Sequence, residues 1–305
     1  MNNVSCPLCN SQNVELIETI SAHEIEYQYK KNFALSTSLH ADIVDYLICN
    51  ECKLGFFNPM ANGDEMLYEQ LQKFDWYYMS DKPEFALAQK YLPDTGRVLE
   101  VGAGKAAFSN AVGKNRYVGL EFNDEAIARA HADGVILIRE SIESHAINNK
   151  QEYKAVVSFQ VLEHVPNPSS FIRACVNSLE KGGILILAVP NHDGLCGLAQ
   201  NHLLDMPPHH VTHWSEVTLK KIASLFDLEL VGVEFEPVAG YHLVWARQVV
   251  WERRLRHCFW MRPSLLDTSY AARFLSKIAS YIAKVFPPAV DVIKGHAVVA
   301  VYRRY

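Results

Sequence analysis

Short apolar runs alternate with amphipathic segments along the second two thirds of the chain. The runs have the length and the β-branched content of buried strands, and they cover residues 97–101, 117–120, 135–138, 155–159 and 184–189. Segments with helical spacing separate them, at residues 105–112, 124–132 and 169–180. This alternation predicts an α/β fold in which a parallel sheet carries helices on both faces.

Two further apolar runs complete the predicted sheet. They lie at residues 228–235 and 296–303, and a helical insertion at about 236–295 separates them. The fold is therefore expected to be Rossmann-like, with a seven-stranded sheet. Ligands of such folds bind at the carboxyl ends of the strands.

The first sixty residues have a different pattern, in which cysteine pairs flank short strands. Cys6 and Cys9 form one CxxC pair, and Cys49 and Cys52 form another. Two such turns aim four thiolates at one point, which is typical of a structural zinc ion with no open coordination position. Thioredoxin-like redox chemistry is the alternative, but no strand-to-helix context follows either pair. Alternation around Ile25 predicts strands between the pairs.

These patterns divide the chain into three predicted parts. A β-rich, zinc-ribbon-like module occupies residues 1–60, a helical linker or cap occupies 61–94, and the α/β core occupies 95–305. The linker contains an aromatic segment, Asp75 to Tyr78, which is a candidate lid over an acceptor pocket.

Composition and charge narrow the classes of function. With 49% hydrophobic and 21% charged residues, the chain of 305 residues has the composition of a folded protein. Its net charge of −5 argues against general binding to nucleic acid. Because the sequence shows neither a secretory signal nor a membrane-spanning apolar run, a cytoplasmic location is expected.

A glycine turn follows the first strand of the core. Gly102, Ala103 and Gly104 come directly after Glu100 and Val101. Glycines in such a turn let the backbone approach a ligand closely. An acid before the turn would repel a pyrophosphate, but it could receive the ammonium group of an amino acid. Glu121, at the end of the next strand, could accept hydrogen bonds from both ribose hydroxyls. S-adenosylmethionine contains both of these parts.

Four ordered motifs carry a family resemblance. They are residues 100–104, Glu121 after the second strand, residues 156–165, and the Leu-Glu-Lys-Gly-Gly run at 179–183. Together they resemble the class I S-adenosylmethionine-dependent methyltransferases over about residues 95–235. The resemblance implies that the glycine turn wraps the methionine part of the cofactor and that Glu121, followed by Phe122, binds the ribose.

The same resemblance implies contacts from two further segments. Ser141 and Ile142 would flank the adenine, and Phe159 and Gln160 would face the amino-acid part of the cofactor. Many relatives have an aspartate where this chain has Ser141.

The histidines that follow the fourth strand are candidates for acceptor chemistry. His164 could be a base, a metal ligand or an orienting residue. Some related quinone O-methyltransferases bind a divalent ion at this segment through acids and a histidine. In this chain Gln160 replaces one of those acids. His209 and His210 follow two prolines in a Pro-Pro-His-His-x-Thr stretch, which resembles bacterial methyltransferases that modify sugars or surface glycans. Either could deprotonate the acceptor, or it could form a structural hydrogen bond with the neighbouring backbone. His213, beside the predicted helix cap Ser215, is expected to be structural.

The helical insertion combines arginines with apolar residues. Helices of this type cap active sites or pair two subunits into a homodimer. A basic helix with tryptophans also suits peripheral contact with an anionic membrane, or with nucleic acid.

The sequence favours a methyltransferase that acts on a small-molecule or glycan acceptor, in polysaccharide or natural-product synthesis. The reaction would be an in-line displacement in which a histidine serves as base. Two alternatives stay open. One is a ribosomal-RNA base methyltransferase with an N-terminal zinc finger, and the other is a non-catalytic binding or assembly protein that keeps the fold.

Overall fold

The computed structural model describes residues 4–63, 65–71, 74, 82–291 and 293–305. The segment Asp75 to Tyr78, interpreted above as a candidate lid, lies outside the described residues. The strands are β1 (Val14–Ser21), β2 (Ile43–Cys49), β3 (Gly55–Asn58), β4 (Val98–Val101), β5 (Tyr117–Leu120), β6 (Ile136–Ile138), β7 (Tyr153–Phe159), β8 (Leu179–Pro190), β9 (Thr212–His213), β10 (Leu228–Pro237) and β11 (Lys294–Arg304).

Helices precede, connect and cover these strands. They are α1 (Ala22–Phe33), α2 (Glu65–Leu71), α3 (Pro83–Gln89), α4 (Ser109–Val112), α5 (Asp124–Ala132), α6 (Ile142–Asn148), α7 (Pro168–Ser178), α8 (Leu195–Leu198), α9 (Glu216–Leu225), α10 (Leu243–Cys258) and α11 (Tyr270–Val285).

The larger sheet has seven strands in the order β10-β11-β8-β7-β4-β5-β6, which confirms the predicted Rossmann-like sheet. The strands from β8 to β6 are mutually parallel, whereas β11 runs antiparallel to both β8 and β10. β4 and β5 are buried at every position. Burial on both faces explains why these strands, apart from Glu100, are apolar runs rather than alternating ones.

One predicted helix of the core is shorter than its pattern suggested. Residues 105–112 have helical spacing, but α4 includes only Ser109–Val112. Ala106 has a φ of 55°, a left-handed conformation that interrupts a right-handed helix. The glycine turn therefore leads into an irregular segment before the helix begins.

The prediction of strands around Ile25 was wrong, because this segment forms α1. Ser21 caps the helix by accepting a hydrogen bond from the Glu24 backbone nitrogen. Ala22, Ile25 and Tyr29 are buried at helical spacing, so the apolar residues form one stripe along the helix. The period-two alternation was a coincidence within a segment that also fits a 3.6-residue period.

The N-terminal residues share a sheet with the core. The smaller sheet has the order β1-β2-β3-β9, and β9 belongs to the loop that follows β8. Gly55 pairs with His213, and Phe56 pairs with Thr212. The division at residue 60, predicted from the change in sequence pattern, thus falls between elements that one hydrogen-bonded sheet connects.

The segment between β10 and β11 contains two packed helices, α10 and α11. The buried Arg256 side chain forms an ion pair at 2.8 Å with the partly buried Asp267, which connects α10 to the loop that precedes α11. In the part of the chain that the structure describes, no helix is both long and apolar enough to cross a bilayer.

Replacing Tyr29 by phenylalanine should lower the free energy of unfolding by about 1–2 kcal/mol. The hydroxyl of the fully buried Tyr29 lies 2.7 Å from the carbonyl oxygen of Leu203 and 3.0 Å from that of Met206. It therefore connects α1 to the loop of residues 203–206, called here the core loop. Urea denaturation measures the change. The matched control is Tyr27→Phe, since Tyr27 lies on the exposed side of the same helix. Equal stability of the two variants would contradict this role.

Candidate active site

The carboxyl ends of β4, β5 and β7 open into a cavity of about 1980 Å³. One side of it, called here the cofactor half, is lined by the glycine turn, Glu100, Glu121 and Phe122. The other side, called here the histidine half, is lined by His164, His202, His209, His210, His242 and His296. The predicted cofactor loop and the predicted acceptor histidines therefore border one continuous space.

The glycine turn is held in place by the end of β5. The backbone nitrogens of Gly102 and Ala103 both donate to the Leu120 carbonyl oxygen, at 2.9 and 3.0 Å. Gly102 has a φ of 75°, and a β-carbon added there would lie 2.3 Å from a methyl group of Val161. Only glycine fits this position without displacing its neighbours.

Glu121 is bonded to the backbone on both sides of the cofactor half. Its Oε2 accepts a hydrogen bond from the Gly104 nitrogen at 2.7 Å, while its Oε1 accepts from the nitrogens of Phe122 and Asn123. Each carboxylate oxygen can accept more than one bond, so the carboxylate can still receive ligand hydroxyls.

Glu100 is buried and accepts a hydrogen bond from the Tyr117 hydroxyl. Burial raises the pKa of Glu100 to about 8, although the Tyr117 bond and the positive charge of Lys82 oppose the shift. A cationic ligand group next to this carboxyl would favour its ionised form.

The other predicted cofactor residues fall in two places. Phe159 and Gln160 line the cavity at the end of β7, and Gln160 has a φ of 56° that turns the chain sharply there. Ser141 and Ile142 are not among the described residues that line the cavity. Ser141 caps α6 by accepting from the Ser144 nitrogen, and Ile142 is buried in the core. Their contact with adenine stays a prediction.

Each of the three candidate histidines is oriented through its Nδ1 atom. The Nδ1 atom of His164 lies 2.5 Å from the carbonyl oxygen of His209. The Nδ1 atom of His209 lies 2.8 Å from the carbonyl oxygen of Leu204, and that of His210 lies 2.8 Å from Asp205 Oδ1. Carbonyl and carboxylate oxygens only accept hydrogen bonds, so Nδ1 carries the proton in all three rings. The lone pair of each neutral ring is then on Nε2.

Electrostatics keep two of these rings neutral. Burial lowers the pKa of His164 to about 3 and that of His209 well below its usual value. Asp205 is different: burial disfavours its charge, but His213 and His210 outweigh that effect and hold its pKa below the usual range. An ionised Asp205 therefore faces His210.

The histidine half contains residues that sequence reasoning missed. Glu163, beside His164, is almost completely buried, and burial raises its pKa to about 8. Asp205 belongs to no recognisable motif. Further lining residues come from β10, from the insertion and from β11: Glu236, Tyr241, Trp245 and His296. No local pattern distinguishes them, because only the packing of distant segments brings them to the cavity.

His213 has a structural position, as predicted from its place beside the helix cap. Its Nε2 donates to the Asp205 carbonyl oxygen at 2.7 Å, and its Nδ1 lies 3.1 Å from the Tyr46 hydroxyl. Ser215 caps α9 as predicted, by accepting from the Thr218 nitrogen.

The four N-terminal cysteines meet in one cluster, with all ligand atoms within 4.8 Å of one another. The Sγ atoms of Cys6 and Cys52 are 3.5 Å apart, as are those of Cys9 and Cys49. These distances are too long for disulfides but are close to the sulfur separation in a tetrahedral zinc site.

The two cysteine turns have the same backbone geometry. The residue after each second cysteine, Asn10 or Lys53, has a left-handed φ near 60°. Its nitrogen donates to the carbonyl oxygen of the first cysteine of that pair, at 2.9 Å in both turns. Paired turns of this kind present four sulfurs to one point, so the residues fit a zinc ion.

Comparison with known proteins identifies the family. A family model described as "Methyltransferase domain" matches residues 69–233, just over half of the chain. The ubiquinone biosynthesis O-methyltransferase of Shewanella halifaxensis is 30% identical over 161 residues, which are 47% of this chain and 68% of that protein. The enzyme of the same name from Serratia proteamaculans is 35% identical over 168 residues, with the same coverage.

A solved structure shows the same fold. A SAM-dependent methyltransferase from Archaeoglobus fulgidus superimposes with a TM-score of 0.51 at 14% identity, covering 78% of this chain and all of the other. With the family model and the enzymes of known name, this agreement leads to one conclusion. The chain belongs to the class I S-adenosylmethionine-dependent methyltransferases, and it is an enzyme of methyl transfer.

Proposed function

We propose that this enzyme transfers the methyl group of S-adenosylmethionine to a hydroxyl oxygen of a small molecule bound in the histidine half. The observation that carries the proposal is the single cavity shared by the glycine turn and the three oriented histidines. A methyl donor on one side and proton acceptors on the other are what an in-line displacement at a hydroxyl requires.

In the cofactor half, the backbone of Gly102 and Gly104 would wrap the methionine part of the cofactor. Glu121 would accept hydrogen bonds from the ribose hydroxyls, and Glu100 would face the ammonium group. The rigid hydrogen bonding of Glu121 to the Gly104 nitrogen supports this assignment, because it fixes the carboxylate before the cofactor arrives.

In the histidine half, the imidazole rings present Nε2 to the acceptor. His210 is the best oriented of them, since the Asp205 carboxylate holds its Nδ1 proton. A carboxylate in this position also stabilises the imidazolium that forms when the ring takes a proton. His164 and His209 would position the acceptor beside it.

The acceptor class follows from the relatives more than from the pocket. Two enzymes similar to this chain are named as O-methyltransferases of ubiquinone biosynthesis, which supports a hydroxyl on a small molecule. Their names give no support to polysaccharide synthesis, so a glycan acceptor is the second candidate. The RNA alternative is less favoured, because the chain is acidic and the histidine half is buried.

The insertion is proposed to cap the acceptor site. Tyr241, His242 and Trp245 line the cavity from this segment. α11 exposes Tyr270, Phe274 and Tyr281 to solvent. Membrane contact of the insertion and homodimer formation stay predictions, as does the cytoplasmic location.

The four cysteines are proposed to bind a structural zinc ion. The ion would tie the turn before β1 to the turn between β2 and β3. Because four protein sulfurs complete the coordination sphere, the ion would have no open position and would take no part in methyl transfer.

The acceptor can be identified with methyl-labelled cofactor in a cell extract. We expect label in a small molecule.

Replacing His210 by glutamine should lower kcat by about 10²- to 10⁴-fold, the usual contribution of a general base. S-adenosylhomocysteine should bind this variant normally. The control is His257→Gln, which changes an exposed histidine on α10. Label in glycan or RNA, or in no molecule, would contradict the proposed acceptor class.

Glu121→Ala should weaken the binding of S-adenosylhomocysteine by about 2–3 kcal/mol, the value of hydrogen bonds to a charged group. Calorimetric titration measures the change as a roughly 30- to 150-fold higher Kd. Glu152→Ala is the control, because Glu152 makes a surface ion pair with Arg97. An unchanged Kd for the Glu121 variant would show that the ribose contact is assigned wrongly.

Cys49→Ser should lose about one zinc ion per chain relative to the wild type and should unfold at lower temperature. Elemental analysis of protein purified without chelator gives the metal content, and calorimetry gives the unfolding temperature. Cys258→Ser is the matched control, since Cys258 is exposed on α10. If both variants retain the wild-type zinc content, the cysteine cluster is not a zinc site.

A further inference from the structure

The histidine half contains a cluster with the geometry of a second metal site. His164, His209 and His210 each place a ring nitrogen within 4.8 Å of the other two. His209 and His210 stack with ring centroids 4.4 Å apart, and the ring of His164 lies 4.6 and 4.8 Å from them at steep angles. Two of the three residues come from the Pro-Pro-His-His stretch rather than from the segment after β7.

The tautomers of the three rings suit metal binding, and they leave no ring proton for a hydrogen bond between the rings. Because every Nδ1 donates its proton to a fixed oxygen, every ring keeps its lone pair on Nε2. Metal-binding histidines commonly donate their second N–H to a carbonyl or carboxylate in this way, which fixes the ring and increases its basicity. Asp205, Leu204 and the His209 carbonyl provide these three supports.

Glu163 supplies a fourth donor. Its Oε1 lies 3.8 Å from His164 Nε2 and 3.9 Å from His210 Nε2. Neither of its carboxylate oxygens accepts a hydrogen bond from any residue that the structure describes. A buried carboxylate without donors is costly, and a cation between it and the imidazoles would remove that cost.

A neighbouring cluster of two histidines and an aspartate is less suited to binding a metal ion. His192, Asp205 and His213 are equally close together. Both ring nitrogens of His213 are already engaged, however, with the Asp205 carbonyl oxygen and the Tyr46 hydroxyl. Of these two clusters, the one formed by His164, His209 and His210 lines the cavity.

We propose that His164, His209 and His210 bind a divalent first-row transition-metal ion, with Glu163 as the fourth protein ligand. Three imidazoles and a carboxylate suit zinc, iron or manganese rather than calcium or magnesium. A fifth position, on the side that faces the cavity, would remain for a hydroxyl oxygen, whose pKa the ion would lower. The Nε2 lone pair of His210 would then hold the ion instead of the acceptor proton, and that proton would pass to water in the cavity. That last consequence rests on the proposed O-methylation, but the binding of the ion does not.

Cobalt(II) is the probe for this site. The protein is treated with a mild chelator that leaves the cysteine-bound zinc in place, as checked by elemental analysis, and is then titrated with Co²⁺. We expect about one equivalent to bind with visible d–d absorption and without the sulfur-to-metal charge transfer of a thiolate site. His210→Ala should weaken this binding by more than about 100-fold, and Asp205→Asn by about 10- to 100-fold through the loss of the ring support.

Two comparisons make the result decisive. His242→Ala, which changes another histidine of the same cavity, should bind Co²⁺ like the wild type. Titration with S-adenosylhomocysteine shows that each variant is folded, and Glu163→Gln tests the fourth ligand without a change of shape. Absence of Co²⁺ binding in the wild type, or equal binding in His210→Ala, would overturn the metal site. If the protein binds no Co²⁺ but still methylates a hydroxyl, the metal site is wrong and the proposed function stands. If it binds Co²⁺ but transfers no methyl group, the metal site stands and the proposed function is wrong.

Discussion

The acceptor side of the enzyme depends on one buried carboxylate. Asp205 is withdrawn from water, and an ion in such a place persists only when hydrogen bonds and positive or polar neighbours replace its hydration. His210 provides one bond to Oδ1, and His213 Nε2 lies 3.5 Å from Oδ2 while donating to the backbone oxygen of the same residue. The need to satisfy this carboxylate fixes both the tautomer of His210 and the path of the loop around it.

The N-terminal residues are part of the catalytic architecture through the same loop. The cysteine turns organise β2 and β3, and β3 pairs with β9, which contains His213. Tyr29 of α1 reaches the carbonyl oxygens that precede the Pro-Pro-His-His stretch. The cofactor half, by contrast, is built almost entirely from the ends of β4, β5 and β7. One half of the cavity therefore belongs to the sheet, and the other half depends on contacts between segments far apart in sequence.

This division explains which features could be predicted from the sequence. Strands buried on both faces are apolar runs, so their positions and the seven-stranded sheet were predictable. The cofactor loop was also predictable, since its glycines and acids are local to two strand ends. Ile25 illustrates a failure, because its short segment fits two periodicities and only packing against the core loop selects the helix. Trp245 lines the cavity and Asp205 bonds His210 because of tertiary packing, which leaves no local trace.

The place of β11 in the sheet has a consequence for synthesis. It lies between β8 and β10, although it follows both of them and the two helices α10 and α11 in the chain. When β10 emerges from the ribosome, its partner in the sheet does not yet exist, and the apolar edge of β8 stays uncovered until α10, α11 and β11 have followed. The nascent chain thus passes through a stage in which an aggregation-prone strand edge is exposed, and the time spent there grows with the length of the insertion.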